Sequence, residues 1–425
     1  MLAIHKTRLH LIILIKTILS NTKKHLSLAI IIFGAGSFFL SNILLKEVLN
    51  EEAYGQYSIT ITYFSVIFIF GLLGLEQIFL RYSNFIAVNT IETQKFQVSL
   101  IIKTILLTST IGTLFFSFYF KEEFKINFIL LYLSSISIVA LLYLFNIFRL
   151  NTDFVFAQVV ANFWRIILLV LAAVLFFLKI SDLNVLLNFI MLGILFSFLL
   201  AFFVFFKRIQ FVYNENHTPK DIIKTSFQFF ISIATFSLLT FGDRFVIQNK
   251  FGFEEFGNYF YLTNFFLAPF SILQNYIGFK QLIFFKNNFT IKAFDAFNKK
   301  VIFFGVLLAV FLFITPNLLM YLKIITFEFD KYTSITILLL ILGIIRLYSS
   351  SISSAFEAKT NIDSLKKANL IFILLALVIV VFAVLVFNSL ELIIATVSLI
   401  WLLRTLIYKS VLLKQIQKEL KNKTE

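Results

Sequence analysis

The amino-acid sequence predicts an all-α integral membrane protein of twelve transmembrane helices, arranged as two parallel six-helix lobes around a central cavity. Three observations lead there. The 425 residues are 60% hydrophobic and only 14% charged, with 59 Phe and no Cys, far from the composition of a soluble domain. Twelve segments hold about 20 mostly apolar residues each, the length that crosses the hydrocarbon core. A short polar signature, EEAYGQY at residues 51–57, returns as EEFGNY at 254–259, just after the first span of each half.

The predicted spans are 26–45, 57–80, 99–119, 126–147, 154–177, 183–206, 222–245, 257–280, 298–322, 331–355, 366–387 and 390–412. Residues 1–25 read as a basic amphipathic lead-in on the cytoplasmic surface. Lys16 interrupts their apolar stretch, and no small-residue cleavage site follows. The N-terminal lobe is 26–206, a cytoplasmic linker covers 207–221, the C-terminal lobe is 222–412, and a basic cytoplasmic tail covers 413–425. With both termini inside, the cytoplasmic segments carry roughly three times as many Lys and Arg as the outer loops. The net charge of +15 is thus read as the positive-inside pattern and not as a nucleic-acid footprint. No loop is long enough for a soluble domain, so function is expected inside the bilayer.

Aligned without gaps, the two signatures pair Glu52 with Glu254, Tyr54 with Phe256, Gly55 with Gly257, Gln56 with Asn258 and Tyr57 with Tyr259. A parallel duplication accounts for this, with a site expected near the midplane between the halves. Locally, Glu suits the first turn of a helix, where its charge meets the positive end of the dipole. Gly permits a tight turn or close backbone approach, and Tyr anchors at the membrane interface.

Charged residues within a span usually face a bundle interior and mark function. Arg165, Arg346 and Arg404 lie near the middle of spans. Gln158, Asn162 and Arg165 form one helical stripe; Arg346, Ser350, Ser353 and Glu357 form another; Gln228, Ser232 and Thr235 form a third. Asn264, Ser271 and Asn275 line a helix beside Pro269. The Ser and Asn positions also fit interhelical glue. The three Arg fit a water-filled cavity better, and their forked donors suit carboxylate or phosphate. Candidate substrate-binding residues are therefore Arg165, Arg346, Arg404, Arg81, Gln158, Asn162, Ser350, Asn264 and Asn275. Asp243 and Glu76 are candidates for binding a coupling cation, H+ or Na+, with structural pairing to Arg244 or Arg81 as the alternative. His5, His10, His25 and His217 have no ligand spacing, so neither a metal site nor a cofactor is expected.

LLKEVLNEEAYGQYS (44–58), GLLGLEQIFLRYSN (71–84) and FGDRFVIQNKFGFEEFGNYFYLTNFF (241–266) resemble the polysaccharide transporter branch, Wzx-type oligosaccharide flippases, of the multidrug/oligosaccharidyl-lipid/polysaccharide exporter (MOP) superfamily. The resemblance covers essentially the whole chain. It implies flipping of undecaprenyl-pyrophosphate-linked oligosaccharide units across a bacterial inner membrane by alternating access, for O-antigen, capsule or other surface polysaccharide. Membrane lipids, a polysaccharide polymerase and a chain-length regulator are the implied partners, and nucleic acid is not among them. By position, Arg81 and Asp243-Arg244 match recurrent charged positions of that family. The alternatives are a drug/cation antiporter or lipid II flippase of the same superfamily and, in a different class, a membrane polymerase or glycosyltransferase. Short outer loops and the lack of D-x-D disfavour that enzyme class.

Overall fold

A computed structural model describes residues 26–27, 29–120, 126–214, 218–323, 325–386 and 388–424. The lead-in at 1–25 lies outside them. The elements are α1 (Ala29–Val48), α2 (Glu51–Phe70), α3 (Leu75–Tyr82), β1 (Asn84–Ala87), β2 (Thr90–Gln94), α4 (Lys95–Tyr119), α5 (Phe128–Leu150), α6 (Phe154–Leu178), α7 (Leu183–Arg208), β3 (Gln210–Asn214), α8 (Pro219–Asn288), α9 (Ile291–Tyr321), α10 (Thr333–Lys359), α11 (Ile362–Val386) and α12 (Leu390–Thr424). Among the described residues, ten helices are long and apolar enough to cross a membrane. The bent pair Pro219–Thr235 and Ser237–Gly278 makes an eleventh if it is one span. The chain is a multi-pass membrane protein.

Polar side chains start the helices as the connecting segments foreshadow. Asn127, Asp153, Asp182 and Thr290 accept from the backbone N–H groups of Leu130, Phe156, Asn184 and Ala293, donors that a first turn otherwise leaves without partners. The outward faces are apolar. On α4, Leu107, Ile111, Leu114 and Phe118 form an exposed stripe at helical spacing, the reverse of a soluble amphipathic helix and the arrangement lipid requires.

The described residues divide into two compact units, those up to Leu44 with Thr60–Ala234, and Leu45–Ile59 with those from Thr235 onward. In the first unit, α5 packs against α4, α6 and α7. Its serines bond back to their own helix, and Tyr63 joins Ser135 (2.8 Å) in a hydroxyl cluster with Thr113, the interhelical glue expected of such residues. In the second unit, α10 packs against α9 and α12, and α11 packs on α12. Its core joins Phe285, Phe294, Ile352, Phe356, Tyr408 and Leu412.

Three features depart from the sequence reading. The second predicted span is interrupted after Phe70: Leu73 (φ 49°) and Gly74 (φ 83°) leave the helical region before α3 begins. The freed carbonyls of Gly71 and Leu73 accept hydrogen bonds from the hydroxyls of Thr108 (2.8 Å) and Ser226 (3.0 Å), as a break at membrane depth demands. Second, a small sheet in the first unit adds strand to the all-α expectation. β1 pairs antiparallel with β2, and β2 parallel with β3, in the register Thr90–Gln210 to Gln94–Asn214. Third, the predicted seventh and eighth spans share the element α8, which is interrupted at Gly252 (φ 80°, ψ −176°). The Tyr259 hydroxyl donates to Asp243. An uninterrupted helix would hold those two residues roughly 24 Å apart, so the chain reverses at Gly252.

The repeated signature meets its own copy. Within the second unit, a methyl group added at Gly55 would lie 1.9 Å from the Phe253 carbonyl oxygen, and one at Gly257 would lie 3.0 Å from the Gly55 nitrogen. The aligned glycines therefore face each other at backbone contact, the role anticipated for them. The tyrosines depart from their expected place as interfacial anchors. Tyr54, Tyr57 and Tyr259 are fully buried, and the ring of Tyr54 packs on Phe260 and Tyr261, because the glycine contact draws the flanking side chains into the protein.

Gly55→Ala should destabilise the protein by about 3 kcal/mol and Gly257→Ala by about 1 kcal/mol, the range for overpacking against backbone. Thermal unfolding in detergent checks both values, and equal tolerance of both substitutions would contradict the contact.

Candidate functional site

The three mid-span arginines fall in two clusters, one in each unit. In the first unit, α6 carries Gln158, Asn162 and Arg165 as a connected chain. Arg165 Nη1 donates to Asn162 Oδ1 (3.1 Å), and Asn162 Nδ2 donates to the Gln158 carbonyl (2.9 Å). Gly34 on α1 makes this possible, since a Cβ there would lie 2.5 Å from Asn162 Oδ1. The Arg165 guanidinium lies 5.5 Å from the Trp164 ring and 5.7 Å from Phe38. Its Nε has no hydrogen-bond partner.

Also in the first unit, Glu76 sits in the first turn of α3, just past the break at Gly74, and is buried. Its Oε2 has no hydrogen-bond partner. Arg81, in the last turn of the same helix, is exposed. The alternative pairing of these two does not form among the described ion pairs, Arg208–Asp153 and Lys331–Glu328.

The second unit gathers more charge. Arg346 of α10 and Arg404 of α12 lie over the same buried Trp401 ring, at 5.2 and 5.6 Å. Arg404 also stacks on Tyr408 (4.4 Å) and donates to the hydroxyls of Ser353 (3.0 Å) and Ser349 (3.3 Å). Glu357, one helical turn beyond Ser353, attracts Arg404 electrostatically. Arg346 Nε has no hydrogen-bond partner. Asp243 and Arg244 of α8 belong to the same unit: Arg244 lies 5.0 Å from both Phe241 and Phe260, and Asp243 accepts from Tyr259 through Oδ2 while its Oδ1 has no partner.

The remaining polar candidates are held within the fold. Asn264 Nδ2 donates to the Phe260 carbonyl on its own helix, and Ser350 donates to the Gln274 carbonyl (3.1 Å). The side chains of Asn275, Gln228 and Ser232 lie outside the described residues.

Sequence reasoning missed the aromatic platforms. The chain has two Trp, and each supports a mid-span Arg. A signal was present: Trp164 precedes Arg165, and Trp401 lies one helical turn before Arg404. A guanidinium over an indole gains about 2 kcal/mol when desolvated but keeps its full charge. None of Arg165, Arg346 and Arg404 belongs to either ion pair found among the described residues. Chemically, both clusters can hold an anion.

Neither a protein-family model nor a curated protein matches the sequence. Among solved structures, the chain is similar in fold to a MOP superfamily transporter from Pyrococcus furiosus. The TM-score is 0.50 at 11% identity, covering 93% of this chain and 95% of the other.

Removing an unpaired buried charge relieves its desolvation. Arg346→Met should therefore leave thermal stability unchanged or raise it by about 1 kcal/mol, whereas Arg404→Met, which breaks two hydroxyl contacts, should lower it. Melting curves of the detergent-purified variants check the contrast; a large loss for Arg346→Met would make that residue structural.

Proposed function

We propose that the protein is a transporter that moves an anionic, lipid-linked oligosaccharide across a bacterial inner membrane, with its chain crossing twelve times and both termini cytoplasmic. The observation that carries this reading is the pair Arg346 and Arg404 on the Trp401 ring, outside any described ion pair. Two guanidiniums that share an aromatic platform suit a phosphate or pyrophosphate group, whose oxygens accept from their forked donors. In the first unit, Arg165 with Asn162 and Gln158 offers one cation beside amide groups, a set suited to sugar acids and hydroxyls.

The fold of the Pyrococcus furiosus transporter supports the transport reading. For that transporter a reversed polarity of the binding pocket suggests a different function, and the surplus of buried Arg here leads by the same kind of argument to an anion. The twelve-span count follows from reading α8 as two crossings that reverse at Gly252. Undecaprenyl pyrophosphate is the lipid carrier implied by the sequence resemblance, with polymerase and chain-length regulator as pathway partners.

Coupling to H+ or Na+ is assigned to Glu76. Glu76 offers a buried carboxylate with an unpartnered oxygen beside the break at Gly74, and broken helices are where transporters place their coupling ions. The same feature favours the second reading, a cation-coupled drug exporter of this superfamily.

In proteoliposomes with a fluorescent lipid-linked oligosaccharide, Arg346→Ala and Arg404→Ala should each slow translocation at least about tenfold, the consequence of removing one partner of a buried charged contact. Normal rates in both variants, or transport of cationic drugs in their place, would reject the proposal. Glu76→Gln should abolish stimulation by an imposed proton or sodium gradient, and stimulation that persists in this variant would exclude Glu76 from coupling.

A further inference from the structure

The small sheet of the first unit carries apolar side chains where a strand in water would carry polar ones. β1 consists of Asn84, Phe85, Ile86 and Ala87, is exposed along its whole length and forms one edge of the sheet. Val88, in the turn that follows, is 82% exposed. Edge strands that face water are usually protected by charge, because a bare apolar edge pairs with other chains. Here no charged residue stands between Arg81 and Glu92. The strand is nonetheless firmly held: Ile91, Thr93 and Gln94 of β2 are buried, Ser83 donates to Thr93 (2.8 Å), and the Gln210 N–H donates to the Asn89 carbonyl (2.9 Å).

Two constraints fix the depth at which such a strand can sit. An open sheet edge is not tolerated in hydrocarbon, where its N–H and C=O groups lack partners, and its apolar side chains are equally unsuited to water. The headgroup layer meets both requirements, since it sets hydrogen-bonding groups beside acyl carbon. Ring contacts lead from a candidate membrane span to the same place. On α7, Phe198 meets Phe202 (5.7 Å) and Phe202 meets Phe205 (6.1 Å); Phe205 then meets Phe211 of β3 (5.8 Å), and Phe211 meets Tyr213 (6.4 Å). Phe202, Phe203 and Phe206 of α7 are exposed, as are Val212 and Tyr213 of β3, so the lipid-facing surface of α7 continues onto the sheet. Cations gather at these helix ends. Arg81 closes α3, Lys95 opens α4, and Lys207 and Arg208 close α7, all of them exposed. Arg208 lies 3.9 Å from Asp153, whereas Lys207 lies 4.2 Å over the Phe203 ring, the snorkelling arrangement of a cation at a membrane boundary.

We propose that this sheet docks on the membrane surface and binds anionic lipid: Phe85, Ile86 and Val88 enter the headgroup layer, and Lys95 and Lys207 bind phosphates beside them. Basic residues clustered next to a span attract anionic headgroups in this way. The parallel pairing of β2 with β3 gives the docking a consequence. It joins the segment before α4 to the segment after α7, in register from Thr90–Gln210 to Gln94–Asn214, so lipid bound at the hairpin bears on both. The inference does not depend on what the protein transports.

The chain has no Cys, so a single introduced thiol takes a dye at one position. Full-length Val88→Cys and Phe85→Cys, each labelled with nitrobenzoxadiazole, are reconstituted in vesicles of phosphatidylcholine and phosphatidylglycerol; melting temperatures confirm that each is folded. Both dyes should emit to the blue of the free dye, be quenched by a lipid-borne quencher at headgroup depth, and resist aqueous iodide about fivefold better than the free dye. Energy transfer from the Val88 label to acceptor-tagged phosphatidylglycerol should exceed transfer to equally tagged phosphatidylcholine about twofold. Lys95→Gln combined with Lys207→Gln should remove that excess while the emission stays blue-shifted. Iodide quenching as strong as for the free dye would put the sheet in water and overturn the proposal. Protection from iodide without quenching from the lipid would overturn it too, because the strand would then be covered by protein. Equal transfer to the two lipids before the lysines are replaced would overturn the binding of anionic lipid.

Discussion

Within the second unit, the backbone of the first signature copy meets the backbone of the second with no room for a methyl group between them. Gly55 lies against the carbonyl of Phe253, and Gly257 lies against Gly55 and the carbonyl of Glu51. Helices normally approach to 8–10 Å, a spacing set by their side chains. Glycine at the crossing removes that spacer and lets main chains touch. The consequences spread outward from there. The rings of Tyr54, Tyr57, Phe256 and Tyr259 are closed off from the surroundings, and Lys46 is placed where its ammonium donates to Asn258 Oδ1 (2.7 Å) while Asn258 donates to the Tyr332 hydroxyl (2.9 Å). Tyr259, fixed two positions beyond Gly257, then has its hydroxyl delivered to Asp243. The charged cluster of this unit therefore depends on a contact that itself carries no charge.

Polar residues in these helices sort into two groups by what becomes of their hydrogen bonds. Ser41, Ser58, Ser134, Ser197, Thr405 and Asn264 each donate to a carbonyl a turn earlier on the same helix. This satisfies them locally and lets neighbouring helices approach closely. Glu76, Arg165, Asp243 and Arg346 each keep a buried atom without a partner. In a medium without water, the first group is self-sufficient and the second is not. Open atoms also occur on uncharged residues such as Ser37, Gln97, Ser109, Asn298 and Thr336, so it is the combination of an open atom with a buried charge that marks Glu76, Arg165, Asp243 and Arg346.

Hydropathy made most of the helices legible, because a bilayer imposes one length and one composition on every crossing. The charged stripes were legible too: Gln158, Asn162 and Arg165 share a face by spacing alone, and the structure links them by hydrogen bonds. What was hidden depends on contacts distant in sequence or on single backbone angles. The break after Phe70 needs Thr108 and Ser226 to satisfy its carbonyls, and neither residue is near Gly71 in the chain. The turn at Gly252 lies in the polar stretch QNKFGFEE between the predicted seventh and eighth spans, and only its place at that one glycine was hidden. The sheet pairs β2 with a strand more than a hundred residues later, a parallel register that no local pattern announces. The two Trp platforms were hidden for a different reason: tryptophan in a membrane helix is read first as an interfacial anchor, and only the fold shows it turned inward.

The pairing of arginine with tryptophan reconciles two requirements that otherwise conflict. A guanidinium buried without support is too costly to keep, and one neutralised by a carboxylate has little left to offer a ligand. Stacking on an aromatic face stabilises the cation without neutralising it, and it occupies the face of the guanidinium while the hydrogen-bond donors point along its edge. Arg346 and Arg404 show two degrees of this. Arg404 spends part of its edge on Ser349 and Ser353 and is the better anchored of the two. Arg346 belongs to neither ion pair found among the described residues and keeps its Nε open. An anion that entered this group would meet one cation anchored by two hydroxyls and one held by the ring alone, with its Nε open.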